Sequence, residues 1–143
     1  MWRPSDISEI DLAVEKGGDW IILIKSATNV LKGDNFVFVY PELLQNKIIV
    51  RKGEVITSEI VEKKDLNIKN INSKIKALMR KTRDKIKLRG SIVNEITTKG
   101  DFIKKIRDSL QINQNNKYRL DVISLKDSKT AEAIIVELNI TKL

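Results

Sequence analysis

The stretch from Lys69 to Arg89 constrains this chain more than any other, because it holds nine basic side chains and a single acidic one, Asp84. Residues 1–68 carry nine basic and eleven acidic side chains, and residues 90–143 carry nine and seven, so the flanks cancel and this one segment accounts for the whole net charge of +8. Its apolar residues keep a strict spacing. Ile71, Ile75, Leu78, Met79, Thr82 and Ile86 recur three and four apart, the period that lines up one stripe on an α-helix. The spacing predicts a helix at about 71–89, with Asn72 or Ser73 capping its start and Gly90 ending it.

On that helix Lys76, Arg80, Arg83 and Lys87 fall together at i, i+4, i+7 and i+11, on a face adjoining the apolar stripe. At a rise of ~1.5 Å per residue this row spans roughly 16 Å, enough to meet several phosphates. Lys74, Lys81 and Lys85 form a second basic flank, and Arg89 closes the segment. An ordinary surface helix mixes signs, whereas like charges at i, i+4 repel by about 0.2–0.5 kcal/mol each, a cost that an anionic partner relieves. A membrane surface is disfavoured, since the stripe contains no Trp or Phe and is needed for a core.

The rest of the composition excludes several kinds of chemistry. With no cysteine there is no disulfide, thiolate zinc site or thiol nucleophile, which suits a reducing, cytoplasmic setting. With no histidine, the usual general base and every Ser-His-Asp arrangement are gone. Neither G-x-G-x-x-G nor a P-loop occurs. The longest apolar runs, 20–24 and 36–40, are too short for a signal peptide or a spanning helix, so a soluble, non-exported protein is expected.

At 143 residues the chain is expected to form a single domain over 1–143. A first helix is read from Asp6 to Lys16, with Ile7, Ile10 and Val14 inward and Gly17-Gly18 as its stop. Trp20–Lys25 reads as a buried strand and Phe36–Tyr40 as another, joined through Asn29 and a Gly33-Asp34-Asn35 turn. Residues 47–51 and 54–62 read as a hairpin around Lys52-Gly53. Ile92, Val93 and Ile96 form a short element of undecided type. Asp101 caps a helix that turns Phe102, Ile103, Ile106 and Leu110 inward, and Asn113–Lys117 is a loop. A closing hairpin runs over 118–125 and 130–140, turning at Asp127-Ser128. The order, roughly αββββααββ, describes an α+β fold: a mainly antiparallel sheet with helices on one face.

Two further sites are legible. Alternation places Phe36, Phe38 and Tyr40 on one side of their strand, where exposed rings would stack bases and covered rings would form core. Pro41-Glu42, followed after Ile60-Val61 by Glu62-Lys63-Lys64 and flanked by helices, resembles the PD-(D/E)xK nuclease pattern over about residues 1–90, with Glu42 where that family has Asp. The resemblance implies a Mg²⁺ ion held by two carboxylates and a lysine. It is kept as an alternative, with no family, catalytic residue, metal or cofactor assigned.

The expected function is non-enzymatic binding of DNA or RNA, alone or as a small subunit of a nucleoprotein complex, with little sequence preference. The site residues are Lys74, Lys76, Arg80, Lys81, Arg83, Lys85, Lys87 and Arg89. An assembly protein docking this helix on an acidic partner chain is the alternative. Trp2 and the apolar strands offer a homo-oligomer contact.

Overall fold

Helices and strands alternate along the chain in the order αββββαβαβββ, an α+β arrangement with two more short strands than the sequence reading supplied. The computed structural model describes residues 4–26, 33, 38–63, 67–112 and 117–143, with side chains described for these except 4–7, 68 and 110–112. Phe36, Trp2, Asn29, Asp34-Asn35, Lys64 and Asn113–Asn116, together with the side chains of Ile7 and Leu110, lie outside the described residues. The chain divides into two compact units, 1–47 and 48–143.

In the first unit, α1 (Pro4–Lys16) begins with proline, whose fixed φ suits a first helical position, two residues before the expected start. It stops where expected: Gly17 and Gly18 take φ of 75° and 109°, and the Gly17 amide donates to Val14 O at 3.1 Å. Ala13 is buried and Ile10 half-buried, but Val14 is 68% exposed rather than inward. The β1 strand (Trp20–Ser26) pairs antiparallel with β2 (Val39–Gln45), Trp20 opposite Gln45 and Ser26 opposite Val39. β1 is not the buried strand expected, since Trp20, Ile22 and Ile24 are exposed. A two-stranded ribbon has two faces and α1 packs against β2, so one short helix leaves apolar side chains uncovered.

The second unit contains β3 (Ile48–Val50), β4 (Val55–Glu62), α2 (Ile68–Leu88), β5 (Ile96–Thr98), α3 (Phe102–Ile112), β6 (Lys117–Ser124), β7 (Ser128–Lys129) and β8 (Ile134–Lys142). The turn expected at Lys52-Gly53 is present, with Gly53 at φ 82° and the Glu54 amide donating to Arg51 O at 3.1 Å. Its strands do not pair with each other, however: β3 pairs with β7, and β4 with β6. The main sheet runs β4-β6-β8-β5, antiparallel except for the β5 edge, which lies parallel to β8. The closing hairpin is β6–β8 as expected, but its connection is long enough to leave the sheet and supply β7.

Both helices cover one face of this sheet, α2 against β4 and α3 against β8, and they touch each other. Cross-strand register puts Tyr118, Leu120 and Val122 in one layer with Val61, Leu138 and Val136, all buried, beneath Ile71, Leu78, Ile86, Phe102 and Ile106. Burying one such side chain contributes roughly 1.5–3 kcal/mol, so this layer dominates the stability of the unit. Thr82 belongs to the buried stripe because its hydroxyl is satisfied, donating to Leu78 O at 2.8 Å and sharing a 2.7 Å hydrogen bond with Thr57.

Three helix cations serve backbone carbonyls of the strands. The β4–β6 and β3–β7 registers each shift by one residue, skipping Ile56 and Ile49, as a β-bulge does. Ile56 O accepts from Lys85 Nζ at 2.7 Å, and Ile49 O from Arg89 Nη1 at 3.1 Å. Lys105 Nζ donates to Leu138 O on β8. No helix among the described residues is long and apolar enough to cross a membrane.

Candidate nucleic-acid interface

The cationic helix forms over Ile68–Leu88. It starts a turn before the expected caps Asn72 and Ser73: Asn67 is the N-cap, its side-chain oxygen accepting from the Asn70 amide at 2.9 Å. It ends as read. Gly90 takes φ 107°, its amide donates to Lys87 O at 3.0 Å, and the Ser91 amide donates to Ile86 O at 3.2 Å, the pair of bonds of a Schellman motif. Ile71, Leu78, Thr82 and Ile86 are buried, and Ile75 and Met79 pack against them, so the predicted stripe faces the sheet.

The basic residues then separate into two groups. Lys76, Arg80, Arg83 and Lys87 are exposed, and among the described residues none of them has an ion-pair or hydrogen-bond partner. The earlier helix start adds Lys69 to this row. Lys69 stands two turns before Lys76, is exposed, and falls within the same arc of about 60°, which lengthens the row from Lys69 to Lys87 to roughly 27 Å. Sequence reading missed it by placing the cap too late; Asn67, the Asx residue before Ile68, was the signal.

The other group is tied to the fold. Arg89 pairs with Glu54 at 2.7 Å while also bonding Ile49 O, so its charge is answered internally and it does not join the free row. Lys85 is exposed along its stem, but its ammonium is committed to Ile56 O. Lys74 is half-buried and Lys81 exposed, both on the Lys85 flank of the helix. The eight cations expected to form one site thus reach two surfaces, and the structure brings only part of them into one line. Lys85 and Lys87 in the last turn also favour the helix dipole, a purely structural benefit.

Of the aromatic trio, Phe38 and Tyr40 lie among the described residues. β2 begins at Val39, so Phe38 precedes the strand instead of alternating within it. Phe38 is 57% and Tyr40 42% exposed, and neither ring forms core. Of the nuclease-like pair, Glu42 lies on β2, whose partner is β1, and Glu62 ends β4, whose partner is β6. Glu42 is engaged by Lys25, and the hydrogen bond to this carboxylate raises the Lys25 pKa against the opposing effect of desolvation. No cluster of three or more potential metal ligands occurs among the described residues.

Alongside the row, α2, α3 and the end of β5 border an open cleft of about 270 Å³ lined by Ile75, Met79, Thr98, Gly100, Asp101, Phe102 and Ile103. Asp101 holds the start of α3 as expected, its Oδ1 accepting from the amides of Ile103 at 3.0 Å and Lys104 at 3.2 Å.

No protein-family model, curated protein or solved structure matches this chain.

Proposed function

We propose that this is a nucleic-acid-binding protein, or a small subunit of a nucleoprotein complex, that grips the phosphate backbone through Lys69, Lys76, Arg80, Arg83 and Lys87. The observation that carries the reading is the separation on α2: these five cations share one exposed face without a carboxylate partner among the described residues, while Lys85 and Arg89 are used inside the fold. Five unmatched cations in a line repel one another, and a polyanion converts that repulsion into counterion release on binding. Sequence preference is weak, because phosphate contacts carry no base information and no Asn or Gln lies between Lys76 and Lys87 to pair with adenine; exposed Asn72, beside Lys69 and Lys76, is the amide nearest the row. A cysteine-free chain suits work in the reducing cytoplasm.

The test is binding of DNA and RNA over a salt series by wild type and by Arg80→Glu/Arg83→Glu. A steep salt dependence, with a slope of about −0.9 per duplex phosphate neutralised, that becomes shallower in the variant supports the reading. Binding that the double variant leaves unchanged rules the row out. An acidic protein partner would occupy the same face, and it is recognised by pull-down: a partner kept after nuclease digestion is protein, one lost is nucleic acid.

A further inference from the structure

We propose that the cleft between α2 and α3 takes an unpaired nucleobase, so that the ligand of the cationic row is single-stranded nucleic acid; this rests on the nucleic-acid reading above. The position of the cleft is the first argument. Met79 stands at the edge of the buried stripe nearest the row, with Lys76 three residues before it, Arg83 one turn beyond it and Ile75 one turn back toward the middle of the stripe. A strand lying along the row therefore runs past the mouth of the cleft.

Charge is the second. On α3, Ile103 lines the cleft, and Arg107, one turn further on the same flank, is exposed and has no partner among the described residues. Lys105 projects from the opposite side of α3 toward Leu138 O, which fixes Arg107 as the cation on the α2 side. The cleft is thus flanked by cations on α2 and α3, while its lining is mainly apolar. Asp101 is the one carboxylate in that lining, and it steers phosphates outward to the cations and away from the floor.

Size is the third. Pockets for drug-sized ligands run from roughly 300 to 1,000 Å³, and about 270 Å³ suits something smaller, on the scale of one flat ring system. A base in a duplex is stacked and paired and cannot enter; an unpaired base can leave its neighbours and exchange water for Met79, Ile75 and Ile103.

The experiment compares an oligonucleotide, its duplex and an abasic sugar-phosphate oligomer of equal length at one salt concentration, by fluorescence anisotropy. Wild type is expected to bind the single strand about tenfold more tightly than the other two, the loss of one seated base. Thr98→Phe, at an exposed position on the cleft wall, fills the space and is expected to bring single-strand affinity down to the duplex level with the salt slope unchanged. Equal affinity of wild type for all three ligands, with Arg80→Glu/Arg83→Glu still weakening binding, overturns the cleft and leaves the row standing. So does a single-strand preference that survives in folded Thr98→Phe; should that variant unfold, the abasic comparison in wild type decides. If wild type binds none of the three, or binds only polyglutamate, the row reading falls with the cleft.

Discussion

The two flanks of α2 carry the same kinds of side chain and do different work. On one, Lys85 and Arg89 reach down to Ile56 O and Ile49 O, the carbonyls of residues that the strand registers skip, and Arg89 also meets Glu54. On the other, Lys69, Lys76, Arg80, Arg83 and Lys87 point into solvent in a line. A cation count along the segment treats the flanks alike, but a buried carbonyl left without a donor costs about 1–3 kcal/mol, so the first flank is bound into stability and the second is left for a ligand. Burial geometry, rather than charge density, decides which cation is available.

The strongest challenge to this contrast strikes the rod that both flanks share. Leu78→Ala, at a fully buried position, is expected to cost about 2–5 kcal/mol in urea denaturation. It should weaken binding only as far as it depletes folded protein. Next comes the free flank alone. Arg80→Glu/Arg83→Glu should lower affinity roughly 100-fold at low salt and take about 1.8 from the duplex salt slope, with the unfolding midpoint nearly unmoved. The pinned flank should give the mirror image: Arg89→Ala loses about 1–3 kcal/mol of stability, read from the shift in urea midpoint, while the affinity of the folded fraction stays at the wild-type value. If Arg89→Ala instead weakens binding as Arg80 variants do, the division between the flanks is wrong. The smallest effect is expected at the cap, where Asn67→Ala costs about 1 kcal/mol and frays the first turn, reducing the contribution of Lys69 and leaving that of Lys87 intact. Amide exchange at residues 68–71 measures it.

What was legible in the sequence was local. The stripe of α2, its glycine stop, the Asp101 cap and the stop at Gly17-Gly18 depend on residues three or four apart, and each formed where the spacing put it. Apart from the closing β6–β8 hairpin, strand partners were not legible, because β3 with β7 and β4 with β6 join residues far apart in the chain, and a hairpin across Lys52-Gly53 satisfied every local signal. The exposure of Ile22 and Ile24 escaped for the same reason: an apolar run gives no information about whether a second layer arrives to cover it. At the site, the row on α2 could be read from periodicity, whereas the commitments of Lys85 and Arg89 follow from two register shifts that no spacing encodes. The cleft beside α3 required knowing on which side of α2 that helix packs.

The lysine that α3 extends to β8 has a bearing on how this molecule meets its neighbours. Val136 O accepts from the Lys99 amide on the β5 side, and carbonyls two residues apart along a strand point the same way, so Leu138 O faces outward where β5 has already ended. That acceptor would otherwise invite an extended segment from another chain to add to the sheet. With an ammonium seated on it, a stranger finds a charge in place of that rung, supplied by the residue that also fastens the helix above it.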